Sequence, residues 1–274
     1  MSEHVGSRGR VWFKALTGND QPVSGDPGSV LAAEASIGDQ PALFLCVVPN
    51  PSGRFPCARD GQVGLEEAFT LAHHIRSLIA EDRDKPKTQK RPLIAIVDVK
   101  SQAYGRREET AGIFFAAGAS ADAYASARMA EHPVISLVAG HAFSGGFLTH
   151  GYQANRILAF DDRGIVIHAM HKEAAARITR RSVADLEELG HEIVPMSYDV
   201  RDYARLGLLH KLLHVSDPQR PTETDIAAVR KELNDAVQDA RRGPTDLSNR
   251  LQSDAARQTR KAGIAIRAAL EAQW

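Results

Sequence analysis

The residues of this chain that could do chemistry are concentrated in the stretch GHAFSGGFLTHG, residues 140–151. Two chemistries fit its residue types. Ser144 could act as a nucleophile if it is exposed at a sharp turn between a strand and a helix. Gly145 and Gly146 could instead present their backbone N–H groups to a negatively charged oxygen. Glycine lets a ligand approach the main chain closely, and the first N–H groups of a helix have no partner within that helix.

Each chemical interpretation has a structural alternative. Ser144 could cap the helix that begins there, and the glycines could only allow that helix to pack closely on the preceding strand. As a nucleophile, Ser144 would need a base. His168, in the run RGIVIHAM, is the candidate base. The order of residues in GHAFSGG is similar to that of the serine loop in Clp-type serine peptidases, and His168 lies where those enzymes carry their histidine. The residues of the stretch alone leave these alternatives open.

The elements around the stretch predict a mostly parallel sheet in an α/β fold. Short apolar runs at 41–48, 92–99 and 133–139 are typical of buried strands. Segments with helical spacing of apolar residues, at 64–82 and 110–131, separate them, and the first is predicted to bury a face that includes Phe69. Ligands of such sheets bind at the carboxyl ends of the strands. The polar loops KSQAYGRREE and GHAFSGG follow two of the strands, so they are predicted to form the site.

The flanking segments suggest three parts of the chain. Residues 1–40 are predicted to be an N-terminal lead-in with one short helix at VWFKALTG, and residues 41–215 to be the main α/β domain. Residues 216–274 are predicted to be a helical C-terminal extension, with an amphipathic helix and then a final long helix. The run DVRDYARLGLLHKLL, ahead of this extension, predicts one helix or two short ones on either side of Gly207.

Composition excludes several classes of function. Lysine and arginine number 34, as do aspartate and glutamate, so the zero net charge does not support a nucleic-acid or membrane-surface partner. The N-terminus lacks an apolar signal core and no apolar run reaches membrane length, which predicts a cytoplasmic protein.

Cys46 lies in the apolar run LFLCVV and is predicted to be a buried structural thiol. His168 and His171 could share a helix face, but no set of residues has convincing metal spacing, so no metal is predicted.

Four stretches together resemble the gamma subunits of biotin-independent malonate decarboxylases: VPNPSGRFPCARDGQVGL, AIVDVKSQAYGRREE, PVISLVAGHAFSGGFLTHGYQANR and HAMHKEAAARITRRSVADLEELG. The resemblance covers most of residues 20–215, and the combination of SQAYGRREE with SGGFLTHG makes it specific. The same core is similar, more distantly, to carboxyltransferase domains of biotin-dependent carboxylases. The resemblance implies a crotonase-like fold of the ClpP/crotonase type, built from ββα turns, with a helical C-terminal region.

The resemblance also implies a function. Together with a beta subunit, a gamma subunit of this family decarboxylates malonyl, held as a thioester on an acyl carrier protein, to acetyl and CO2. The substrate rides on the carrier's phosphoribosyl-dephospho-CoA-type prosthetic group, and this chain itself is expected to bind no cofactor. The family's backbone donors fall on Gly145 and Gly146, and residues 101–109 border the pocket. The further substrate-binding candidates are Ser144, Gln102, Tyr104, Arg106 and His141. The alternatives are a Clp-like serine hydrolase that uses Ser144 and His168, or a non-catalytic scaffold subunit.

Overall fold

The structure, a computed structural model, describes residues 7–274. Its strands are β1 (Val30–Ile37), β2 (Gln40–Val47), β3 (Leu93–Val99), β4 (Val134–Phe143), β5 (Arg156–Phe160), β6 (Val166–His168) and β7 (Lys211–Leu213). Within these residues they form one seven-stranded sheet in the order β1-β2-β3-β4-β5-β7, and β6 pairs with β4. The hairpin of β1 and β2 is antiparallel, and every other pair is parallel.

Helices connect the parallel strands and cover the sheet. They are α1 (Arg8–Thr17), α2 (Leu65–Glu81), α3 (Arg106–Thr110), α4 (Ile113–Met129), α5 (Ser144–Thr149), α6 (Lys172–Thr179), α7 (Val183–Glu192), α8 (Val200–Arg205), α9 (Glu223–Arg242), α10 (Asn249–Gln252), α11 (Asp254–Thr259) and α12 (Lys261–Glu271). The predicted strands at 41–48, 92–99 and 133–139 correspond to β2, β3 and β4, and the predicted helices between them correspond to α2 and α4. The predicted α/β architecture is therefore confirmed.

Several local predictions were wrong. Strand β1 was missed because it lies at the sheet edge, where half-exposed positions interrupt its apolar pattern. Strand β4 extends through Phe143, so the first part of GHAFSGG is strand and not loop. The segment after Gly207 forms strand β7 rather than a second helix, and the predicted final helix is three helices, interrupted by extended backbone at Ser253. Phe69 is 52% exposed, because the buried face of α2 passes through Ala68 and Leu71 instead.

A large hydrophobic core joins the sheet to most of these helices, and α6 and α7 pack in a small separate cluster. Helix α1 contributes Trp12 and Phe13, both fully buried, and Trp12 packs against Phe160 of β5 with ring centroids 4.6 Å apart. Helix α9 adds Leu233 and Val237 to the same core. The core therefore extends across both predicted boundaries, at 40 and at 215. Residues 1–6 of the predicted lead-in lie outside the described residues.

The cysteines and the His168–His171 pair do not form a further chemical site in the described residues. Cys46 is buried, as predicted, and Cys57 is exposed; both are free thiols. His168 ends β6 and His171 precedes α6, so the two histidines do not share a helix face. Residues 7–274 contain no group of three or more His, Cys, Asp or Glu side chains arranged to hold a metal ion. Across the same part of the chain, every helix is too short or too polar to cross a membrane.

Candidate active site

The site begins where β4 bends away from the main sheet. The first half of β4 pairs with β5 and its second half with β6, and its register against β3 shifts at this bend. Asp98, near the end of β3, accepts the N–H of His141 at 3.0 Å and the N–H of Gly9 at 3.1 Å. A Cβ on Gly140 would lie 2.1 Å from Asp98 Oδ1. Glycine is therefore required there, and the Asp98 carboxylate joins the bend to the start of α1.

Ser144 lies at the junction between β4 and α5 in an unusual backbone conformation. Its φ is +54°, in the left-handed region that non-glycine residues adopt only at a cost. Its side chain does not cap α5, so the capping interpretation was wrong. The chain thus turns sharply from strand to helix at Ser144, and the turn brings the following N–H groups to the carboxyl end of the sheet.

The two glycines after Ser144 have different surroundings. The Gly145 N–H donates to the side-chain oxygen Oε1 of Gln102 at 2.9 Å. Gly146 is buried, and a Cβ on it would lie 2.4 Å from the carbonyl oxygen of Ser101. Gly146 therefore permits close packing of α5 on the loop after β3. A side chain at Gly146 would collide with the main chain, so substituting it cannot separate packing from catalysis.

A mostly apolar cavity of about 300 Å³ opens beside Gly145. From the opening stretch, Ser144 and Gly145 contribute to its wall, together with Leu148 of α5. The other lining residues are Ala142, Phe147, Tyr152, Ile167, His168, Ala169, Tyr203 and Leu208. Burial raises the pKa of the Tyr203 phenol far above its ordinary value, so this group stays neutral. The cavity has room for a small acyl group and presents it with mostly apolar side chains.

His168 also borders the cavity, but its ring is engaged elsewhere. It stacks on Tyr198 with ring centroids 3.8 Å apart, and its Nδ1 lies 3.0 Å from the carbonyl oxygen of Met170. Burial lowers the pKa of the imidazole, which favours its neutral form. No hydrogen bond joins His168 to Ser144 in the described part of the chain, so a preformed serine–histidine pair is not present.

The other candidates from the sequence lie outside the cavity wall. His141 is half-exposed beside Asp98, with 3.8 Å between its Nδ1 and Oδ1 of the carboxylate. Tyr104 is 63% exposed on the loop after β3, and Arg106 is exposed at the start of α3. Ser144 and Gly145 thus line the cavity, and Gln102 contacts Gly145 by a hydrogen bond without lining it. The structure leaves His141, Tyr104 and Arg106 outside the cavity. A role for these three in binding substrate stays a prediction.

Sequence reasoning missed two residues that hold the site in place. Asp98 is one, and its signal was a carboxylate at the end of the otherwise apolar run PLIAIVDV. His150, at the end of α5, is the other. Its Nε2 lies 2.9 Å from the carbonyl oxygen of Ile96 and its Nδ1 lies 2.8 Å from the hydroxyl of Tyr124. This fully buried set of hydrogen bonds joins α5 to β3 and α4.

A family model and a curated relative both indicate the same protein family for this chain. Residues 58–274 match the family model of the malonate decarboxylase gamma subunit, MdcE. A curated relative, the malonyl-S-ACP:biotin-protein carboxyltransferase MADD of Malonomonas rubra, is 34% identical over 220 residues, which are 80% of this chain and 75% of that protein.

Solved structures agree with this result. A Pseudomonas malonate decarboxylase hetero-tetramer in complex with coenzyme A contains a chain with 48% identity and a TM-score of 0.92, covering 98% of this chain and 100% of that one. The Pseudomonas MdcD-MdcE hetero-dimer gives 47% identity, a TM-score of 0.89 and the same coverage. Transcarboxylase 12S, at 16% identity and a TM-score of 0.63 over 86% of this chain and 40% of that one, shares the fold alone. These likenesses confirm the predicted crotonase-like fold.

Proposed function

The chain belongs to the malonate decarboxylase gamma-subunit family, and on that premise we propose that, with a beta subunit, it decarboxylates a malonyl thioester carried by an acyl carrier protein. The reaction breaks the bond between the carboxylate carbon and the methylene carbon. The electron pair moves to the thioester carbonyl as an enolate, CO2 leaves, and a proton on the methylene carbon completes the acetyl group. This chemistry needs donors for negative charge and surroundings with little water.

The observation that carries the proposal is the N–H group of Gly145. This residue lines the cavity, and its N–H has no partner within the helix: it donates to the side-chain oxygen Oε1 of Gln102 at 2.9 Å, so a substrate oxygen that replaced Oε1 could accept it. In our proposal the N–H groups of Gly145 and Gly146 face the malonyl carboxylate and the departing CO2, while the beta subunit holds the enolate oxygen. Gly145 is the stronger candidate of the two, because Gly146 is packed beneath Ser101.

The apolar wall supports the same chemistry. A carboxylate loses CO2 more readily once water no longer stabilises its charge, and the Phe147, Ile167 and Leu208 side chains supply such a wall. The substrate arm would be the prosthetic group of the carrier protein. The Pseudomonas complex with coenzyme A, itself a thiol carrier, supports an arm of this chemical kind.

The surface of α4 supports a protein partner next to this cavity. Phe114 and Phe115 are 60% and 70% exposed, and Met129 at the other end of the helix is also exposed. Leu148 of α5, which packs against α4, is both half-exposed and part of the cavity wall. An exposed apolar surface of this kind marks a protein contact. The hetero-dimer formed by the Pseudomonas relative favours a beta subunit as its occupant.

A serine hydrolase is the second candidate function. The left-handed backbone at Ser144 favours it, because nucleophilic serines occupy strained turns between a strand and a helix. The stacking of His168 on Tyr198 disfavours it, because the general base is then not directed at Ser144 by any hydrogen bond among residues 7–274. A fluorophosphonate probe separates the two functions: labelling of Ser144 would support the hydrolase.

The proposed function is tested by steady-state kinetics of the beta–gamma complex on malonyl thioester. We expect CO2 and acetyl thioester from the complex and neither from the isolated chain. A side chain on Gly145 must displace Gln102, since its Cβ would lie 2.8 Å from Oε1, and a branched one would shield the N–H group. Gly145→Val removes a hydrogen bond to the malonyl carboxylate that forms on binding and weakens as CO2 leaves, so it should raise KM roughly 10- to 100-fold in an intact complex.

Gly263→Val is the matched control, because no atom of residues 7–274 outside the local helix backbone lies within 4 Å of the Cβ position at Gly263. Complex formation is checked by gel filtration for both variants. Turnover by the isolated chain, or a Gly145→Val complex that keeps the wild-type KM, would contradict the proposed role.

A further inference from the structure

The Gly145 N–H group is already occupied by a side chain of the same chain. Gln102 Oε1 accepts its hydrogen bond, and the hydroxyl of Ser101 lies 3.3 Å from the same oxygen. An ideal Cβ on Gly145 would lie 2.8 Å from Oε1 and 2.9 Å from Cδ of Gln102, so the carboxamide lies directly over this residue. A neutral amide oxygen thus stands where a substrate carboxylate oxygen would have to bind.

The orientation of the carboxamide and the backbone that carries it are both determined by hydrogen bonds. A backbone N–H can only donate, so the Gln102 atom that faces Gly145 is the oxygen. On either side of Gln102 the main chain is held by Val63, whose N–H donates to Ser101 O at 2.9 Å and whose carbonyl accepts the Ala103 N–H at 2.8 Å. Rotation of the Gln102 side chain can therefore free the N–H of Gly145 without breaking these backbone hydrogen bonds.

We propose that Gln102 is a built-in competitor for the Gly145 N–H group, because a substrate carboxylate must displace its carboxamide from Gly145. The inference rests on the proposed function. Hydrogen bonds to a charged acceptor are about twice as strong as those to a neutral one. A malonyl carboxylate therefore displaces the carboxamide, and an uncharged acetyl group does not. Once CO2 has left, the carboxamide returns to Gly145 and excludes the acetyl product from the donor.

Kinetics of Gln102 variants in the beta–gamma complex test this role. Gln102→Ala removes the competitor. It should lower both KM for malonyl thioester and the inhibition constant of acetyl thioester about two- to tenfold, which is the factor that one hydrogen bond contributes. The kcat should change less than about twofold. Gln102→Glu places a competing carboxylate on the Gly145 N–H and should raise KM more than about tenfold. Gln89→Ala, at an exposed glutamine just before β3, is the matched control.

Hydrogen exchange of the Gly145 N–H gives a readout that does not depend on turnover. Exchange should be slow in the wild-type complex and faster in Gln102→Ala, with Gln89→Ala unchanged. A Gln102→Ala complex with reduced kcat at constant KM would assign Gln102 to the chemical step and overturn the inference. A Gln102→Ala complex with wild-type kcat, KM and inhibition constant would overturn it as well. If the wild-type complex does not decarboxylate malonyl thioester, the proposed function fails. Exchange at Gly145 then still shows whether Gln102 covers the donor.

Discussion

At the scale of single residues, Asp98 is the side chain on which the bend of β4 depends most. Both carboxylate oxygens accept backbone hydrogen bonds, Oδ1 from His141 and Oδ2 from Gly9. The side chain is 10% exposed, so water cannot readily replace it. Since the bend directs Ser144 and Gly145 to the cavity, Asp98 positions the site without touching it.

This arrangement predicts the effect of replacing Asp98. Asp98→Ala leaves two N–H groups without an acceptor and should lower the free energy of unfolding by roughly 1–3 kcal/mol. Asp98→Asn should lose a similar amount, because its NH2 group would face one of the two N–H donors. Urea denaturation of the three proteins measures this. Wild-type stability in the asparagine variant would show that one of the two hydrogen bonds contributes little.

The backbone of Ser144 leads to a second residue-scale prediction. A φ of +54° costs a residue with a Cβ roughly 1–2 kcal/mol, and glycine avoids that cost. Ser144→Gly should therefore be about 1 kcal/mol more stable than Ser144→Ala, and Ser144→Ala should match the wild type because no cap is lost. Thermal denaturation compares the three. A destabilised alanine variant would reveal a contact of the hydroxyl that stabilises the fold.

At the scale of elements, the placement of α5 depends on the buried histidine at its end. The Ile96 carbonyl can only accept, so Nε2 of His150 carries the proton and Nδ1 accepts from Tyr124. The neutral ring is thus fully satisfied. Burial lowers the pKa of His150 from 6.5 to about 4, because a charged ring would lose its hydration there.

The burial of His150 predicts that the folded chain becomes less stable in acid. Between pH 6.5 and about 4 the unfolded chain binds a proton that the folded chain does not, so the free energy of unfolding falls as the pH falls through this window. The loss attributable to His150 amounts to about 3 kcal/mol and is complete below the folded pKa. Urea denaturation across the window measures it. His150→Gln should be less stable near neutral pH and should decline less with acid; an equal decline would place the acid sensitivity elsewhere.

At the scale of the whole molecule, the exposed side of α4 is expected to dock the beta subunit. Gly118 lies on this side, and among residues 7–274 no atom outside the local helix backbone lies within 4 Å of its Cβ position, so a side chain there does not disturb the fold. Gly118→Arg should leave the isolated chain as stable as the wild type, or up to about 1 kcal/mol more stable, since glycine weakens a helix interior. An arginine buried against an apolar partner should weaken association with the beta subunit more than about tenfold.

Binding measured by surface plasmon resonance tests this prediction. Glu188→Arg, at an exposed position of α7, is the control for adding positive charge and should bind the beta subunit as the wild type does. If Gly118→Arg binds with wild-type affinity, the beta subunit docks elsewhere on the chain.

The sequence by itself determined the strands β2, β3 and β4, the helices between them and the family. Buried parallel strands are continuous apolar runs, and the strand-to-helix turn at Ser144 carries its own glycine pattern. Only the tertiary structure decided that Gly145 faces the cavity, that Gly146 packs on Ser101 and that Gln102 covers the donor. The Gly145–Gln102 contact joins residues 43 positions apart. Such contacts depend on the register of β3 against β4 and on the bend at Gly140, and local periodicity contains neither.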